Sequence, residues 1–210
     1  MAFFKSMLSL LALLPLLCSM SPHAGGDPED IQQLRNLLQP ITSLAAQFEQ
    51  QITDANGLEL QGSKGLFQVA KPNSLRWTVE HPLPQQVISD GITLWVYDED
   101  LEQVMVQPFA GNIQSAPAML FSGDLQALDS SYFVQQLSAG QFLLTPEQGG
   151  SLFSSVQIDF DNLLPVSIVL TDNLGQVTRI SFAEVDYNPV LPPDLFIFDI
   201  PSGVDVIRND

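Results

Sequence analysis

The sequence predicts a mainly β protein, an antiparallel sheet curling into a barrel. Three observations predict it. Short runs of alternating or wholly apolar residues recur along most of the chain. Gly, Pro, Asn and Asp separate those runs at close intervals. One interval, Ser115 to Gln136, breaks the rhythm with two stripes of helical character.

The first segment is of another kind. Met1 to Ser6 carries a single cation, Lys5, and Met7 to Cys18 is nearly all apolar. Small and polar residues follow at Ser19, Ser21, Ala24 and Gly25. That order reads as a signal peptide over residues 1–24, and residues 25–210 are expected to form one domain. The run falls short of the roughly 20 apolar residues that span a bilayer. Pro22 fits poorly near a cut after Ala24, so the cleavage position stays open. A lipid on Cys18 is set aside, because Leu17 is too bulky for a lipoprotein cleavage site.

Beyond the signal, Asp27, Pro28, Glu29 and Asp30 form a helix start: a capping residue, Pro in the first turn and acids behind it. Ile31, Leu34, Leu37 and Leu38 make its apolar face, and Pro40 ends it. Leu44, Ala46, Phe48 and Ile52 alternate as a strand would, although Ile41, Leu44, Phe48 and Ile52 also fit a helical period. A strand is expected. Further strands are expected at Leu66–Ala70, Leu75–Glu80, Gln85–Ser89, Thr93–Tyr97 and Glu102–Gln107. Ser115 to Phe121 and Asp124 to Leu128 are expected as short helices lying on the sheet. Val156, Ile158 and Phe160 alternate again. Val166–Thr171 and Gln176–Phe182 flank a turn at Asp172 to Gly175, a hairpin. Phe196, Phe198 and Ile200 continue the alternation.

Composition narrows the function. The 24 acidic residues face only 7 basic ones, for a formal charge of −17. Such a polyanion offers no cationic surface to nucleic acid and is repelled by anionic headgroups. No stable membrane insertion is expected. Cys18 is the only cysteine, so residues 25–210 form no disulfide and carry no thiol nucleophile. About 185 residues need no such staple, since a domain of that size buries roughly 70% of its unfolded surface. His23 and His81 are the only histidines, too few for a zinc site, and no nucleophile elbow accompanies them. Phosphate-binding glycine patterns are missing. Asp159, Asp161 and Asn162 lack the glycine and distant Glu of a calcium loop. No enzyme, metal or cofactor is expected.

In Leu94, Trp95, Val96 and Tyr97 both faces of a strand are apolar, so both must be covered or must line something. A two-sided core and a concave cavity under helices both satisfy this.

Several motifs bear on that choice. Lys71-Pro72-Asn73-Ser74-Leu75-Arg76-Trp77 resembles the Arg-Pro-x-x-Phe-x-Trp segment of the LolA family, the outer-membrane lipoprotein carrier proteins. Ser89 to Asp98 is similar to that family's SDG-x-T-LW-x-Y strand pair, and Leu101 to Val104 continues it. Ala116 to Leu120 resembles its Pro-x-Met-Leu helix. Phe142 to Pro146 and the stretch from Phe196 to Val206 follow in family order.

The resemblance implies an incomplete, unclosed antiparallel β-barrel with short α-helices forming a lid over an apolar cavity. It implies a monomeric periplasmic chaperone whose cargo is outer-membrane lipoproteins, held by their acyl chains. An ATP-driven inner-membrane transporter would load it and an outer-membrane receptor lipoprotein would unload it. Leu75, Trp77, Trp95, Met119 and Leu120 are the expected cavity residues. Lys71 stands where the family has an Arg thought to hold the lid by hydrogen bonds to helix carbonyls. Lysine presents one compact donor instead of a planar fork. Either the lid closes more loosely here, or Arg76 or another group compensates. The rival expectations are another hydrophobe binder on the same sheet, receptor-like or sensor-like, and a secreted hydrolase.

Overall fold

A computed structural model describes residues 27–109, 120–121, 128, 131–147 and 151–209. Helix α1 (Pro28–Leu38) starts where expected. The Asp27 carboxylate accepts from the Glu29 N–H (2.9 Å), satisfying one of the orphan donors of the first turn. Leu34 and Leu38 point inward and are fully buried.

Twelve strands follow: β1 (Ser43–Thr53), β2 (Glu59–Ala70), β3 (Ser74–His81), β4 (Gln85–Asp90), β5 (Thr93–Asp98), β6 (Gln103–Pro108), β7 (Tyr132–Ser138), β8 (Gln141–Pro146), β9 (Phe153–Asp161), β10 (Leu164–Asp172), β11 (Val177–Tyr187) and β12 (Asp205–Arg208). They form one sheet in the order β12-β6-β5-β4-β3-β2-β1-β11-β10-β9-β8-β7. The sheet does not close, for β7 and β12 are its free edges. The two antiparallel meanders, β1–β6 and β7–β11, join only where β1 pairs with β11.

The strand expected at Leu44–Ile52 is β1, so period two wins over the helical reading. Leu44, Ala46 and Phe48 are buried while Gln47 and Glu49 are exposed, the alternation of a half-buried strand. The turn at Asp172 to Gly175 is a hairpin as expected. Asp172 Oδ1 accepts from the N–H groups of Leu174 and Gln176, and Gly175 supplies the positive φ of +83°.

Three expectations change. The interval to Gln136 is not wholly outside the sheet, because β7 begins at Tyr132. Tyr132, Phe133 and Val134 are aromatic and β-branched, types that fit a pleated surface, and Val134 faces the core. Phe196 sits in a short 3-10 turn, Pro193–Phe196, not a strand. The prolines at 192 and 193 supply no N–H to a ladder. The chain ends instead in β12, which runs parallel to β6 and adds one parallel pair to an otherwise antiparallel sheet. The expected signal segment and Met119 lie outside the described residues. Of the two expected short helices, Leu120, Phe121 and Leu128 are described; they are helical and buried in the core.

Candidate functional site

Residues directly opposite on paired strands share a face, so register sorts the sheet into an inner and an outer surface. Phe48 pairs with Gly65 across β1 and β2, and Ala46 with Phe67. Phe67 pairs with Trp77 on β3, Trp77 with Val87 on β4, and Val87 with Val96 on β5. This inner face carries the main core together with α1. Trp77 lies between two phenylalanines, its ring 4.0 Å from Phe48 and 5.4 Å from Phe67. Phe121 reaches the same group, 5.7 Å from Phe67. Aromatic rings in tilted and edge-on pairs at these separations add to what burial alone contributes.

Beyond Trp77, on the side away from α1, the inner face is open. A cavity of about 370 Å³ lies there, at the small end of ligand-sized pockets. Its apolar walls are Trp77, Val79 and Val87 on one flank and Phe153, Leu170 and Ile180 on the other. Its remaining lining is mostly uncharged and polar: Gln50, Gln61, Ser63, Gln85 and Thr178. Register spreads these over neighbouring rows of the same face: Gln50 is opposite Ser63, Ile52 is opposite both Gln61 and Thr178, and Gln85 is opposite Val79.

The other inner half is filled. Leu34 and Leu38 of α1 pack with Leu44, Phe67, Leu75 and Leu120, all 5% exposed or less. The junction of α1 with β1 is held from two sides. Lys71 Nζ donates to the carbonyls of Leu38 (3.0 Å) and Gln39 (3.4 Å) at the end of the helix. A cation at a helix C-terminus meets both the orphan carbonyls and the negative end of the dipole. Partial burial of its ammonium lowers the Lys71 pKa from the usual 10.5. On the far side, Asn188 adopts a positive φ of 56°. Its carboxamide accepts from the N–H groups of Thr42 (2.7 Å) and Ser43 (3.2 Å) and donates to the Pro40 carbonyl (3.0 Å).

The expected site residues therefore separate. Leu75, Trp77 and Leu120 meet on the inner face. Trp95 does not join them: it pairs with Ile88, and Ile88 with Arg76, a row that faces outward. There, fully buried Ile88 and Val104 and nearly buried Phe196 form a second apolar layer, and Tyr97 stacks 5.3 Å from Phe198. Arg76 belongs to that outer layer too. It donates to the Leu195 carbonyl (3.0 Å) and to Gln86 Oε1 (2.7 Å), holding the C-terminal segment and making no bond to α1. The cation that bonds α1 is Lys71 alone among these two.

Sequence reading passed over the polar rows and Asn188. The signal for the first was present in β1, where Gln50 interrupts the inward series Leu44, Ala46, Phe48 and Ile52. Asn188 carried no local signal, since its partners lie about 146 residues away.

The family model for "Outer membrane lipoprotein carrier protein LolA" matches residues 39–199. The chain belongs to the LolA family. An outer-membrane lipoprotein carrier protein of Chromohalobacter salexigens is 37% identical over 212 residues, covering all of this chain and 99% of its own. The carrier of Alcanivorax borkumensis is also 37% identical, over 98% of this chain and 99% of its own. A LolA superfamily protein of Nitrosomonas europaea shares the fold at a TM-score of 0.51 with 14% identity, over 80% of this chain and 98% of its own. Within this LolA chain, no group of three or more His, Cys, Asp or Glu that could hold a metal occurs among the described residues. Nor is any described helix long and apolar enough to cross a membrane.

Proposed function

We propose that this LolA chain is a non-enzymatic periplasmic carrier that takes the acyl chains of lipoproteins into its inner face and conveys them from the inner to the outer membrane. The observation that carries the reading is the inner face of the unclosed sheet, half filled by α1 and half open as an apolar-walled cavity. One acylated protein cannot cross water with its chains exposed, because each CH₂ costs about 0.8 kcal/mol outside an apolar site. The preformed cavity of about 370 Å³ is small for three acyl chains, so loading displaces the side chains of α1 from the core. Leu34, Leu38, Leu75, Trp77 and Leu120 then line one continuous apolar surface. A lining of apolar walls and neutral polar groups does not read the protein part of the cargo, which suits a carrier that serves many cargoes.

On this reading residues 1–24 direct export and residues 25–210 form the single carrier domain. An ATP-driven transporter in the inner membrane hands over cargo, and a receptor lipoprotein in the outer membrane accepts it. The test is to incubate the purified protein with spheroplasts that release a labelled lipoprotein. A soluble one-to-one complex is expected. Lipoprotein that stays on the spheroplasts would overturn the reading.

A further inference from the structure

Toward one end of the barrel the inner face gains neutral polar side chains on several strands, set among apolar neighbours such as Val79, Leu170 and Ile180. Phe48 gives way to Gln50 on β1, Phe67 to Ser63 and Gln61 on β2, Val87 to Gln85 on β4, and Ile180 to Thr178 on β11. In a chain with 24 carboxylates these groups are amides and hydroxyls. The one carboxylate in the lining, Asp98, is engaged by the Leu101 N–H of its own turn (3.0 Å). Among the described residues, the side chains of Gln50, Gln61, Ser63, Gln85 and Thr178 make no hydrogen bond to the protein. Five uncommitted neutral polar groups thus ring the end of an apolar cavity.

We infer that this ring seats the ester and amide linkages at the head of the bound acyl chains. The inference rests on the carrier reading and deepens it. An acyl chain lying along Trp77 would place its linkage at this end. An ester carbonyl is an acceptor with no proton of its own, so it needs donors, and an amide linkage needs a donor and an acceptor. Glutamine carboxamides supply both. A charged group would lose its hydration when lipid covers it, at a cost that grows steeply with burial, whereas a neutral amide loses less and regains it from the linkage. The ring therefore distinguishes acyl chains attached through carbonyls from plain hydrocarbon, without reading the protein part of the cargo.

The test compares two synthetic lipopeptides of equal chain length, built on a glyceryl-cysteine. One has ester-linked chains on the glyceryl group and the other has their ether-linked counterparts. The unaltered protein is expected to bind the ester form about tenfold more tightly, the worth of one to two net hydrogen bonds. Gln50→Leu with Gln85→Leu is expected to bring the ratio close to one while binding of the ether form is retained, which also reports that the variant is folded. Gln61→Leu, at an exposed position, supplies a second variant that should lower the ratio in the same direction. Equal binding of both forms by the unaltered protein overturns the inference and leaves the carrier reading standing. So does an unchanged ratio in the variants. Failure to bind either lipopeptide overturns the carrier reading and the inference with it.

Discussion

At the scale of the residue, Lys71 shows how a single donor can hold a helix. Its ammonium reaches two carbonyls at the end of α1, but from one point and at unequal distances, 3.0 and 3.4 Å. Lys71→Met keeps the apolar stem and removes the bonds. It is expected to cost about 1 kcal/mol, a charged hydrogen bond discounted for partial exposure. The check is a denaturation midpoint together with faster amide exchange in α1. Lys71→Arg presents a fork that can serve both carbonyls, and it should slow lipoprotein release to outer membranes; an unchanged transfer rate would remove Lys71 from any role in closure. Asp54 gives a second prediction. The Leu58 N–H, foremost, and the Asn56 side chain and N–H bond its carboxylate and lower its pKa below 3.8. The folded pKa lies under the unfolded one, so the stabilisation is complete above 3.8 and fades as pH falls through the folded value. Asp54→Asn should unfold more readily than the parent at neutral pH, and pH-dependent melting should show the difference shrinking in acid.

At the scale of the element, the inward side was legible in strands with one wet face and illegible in strands with two dry faces. In β1 the exposed Gln47 and Glu49 fix which side points inward. In β5 the run Leu94 to Tyr97 is apolar throughout, so its pattern carries no parity, and Trp95 could be assigned to a face only once Ile88 was known to lie opposite it. β12 is four residues long and exposed along its whole length, which leaves no apolar rhythm to read. Lys71 was found through a motif and Trp77 through its place in one, whereas the Gln50 to Ser63 level emerges only from cross-strand pairing. The pairing of β2 with β3 has its own pressure point. A Cβ on Gly65 would fall 1.8 Å from the Thr78 carbonyl oxygen, at a register shift between the two strands. Backbone cannot swing aside as a side-chain tip can. Gly65→Ala is expected to destabilise by about 3 kcal/mol, whereas Gly62→Ala, whose nearest neighbour is the flexible Glu59 carboxylate at 3.3 Å, should be nearly neutral. Chemical denaturation followed by the fluorescence of Trp77 and Trp95 separates the two.

At the scale of the whole molecule, the charge of −17 is expected to repel anionic lipid surfaces and, on the carrier reading, to favour docking to basic patches on a partner. Both effects are screened by salt over about 10 Å at 0.1 M. Sedimentation with anionic vesicles should leave the protein in the supernatant at low salt, and transfer of cargo should slow as salt is raised; salt-independent transfer would remove electrostatic docking as its cause. Class and strand content were legible in the sequence, because they follow from turn chemistry and alternation repeated many times; the unclosed barrel came only through the resemblance to the LolA family. The join between β1 and β11 was not legible, for no local pattern reports a partner more than 120 residues away. That join sets the order in which the protein can fold. Each meander is built from neighbouring strands and can assemble from local pairings, but the seam between them must wait for Val177–Tyr187, near the end of the chain. Until then β1 presents a bare edge, open to pairing with any passing strand. In any chain synthesised from its N-terminus, that interval is when a folding helper has most to protect.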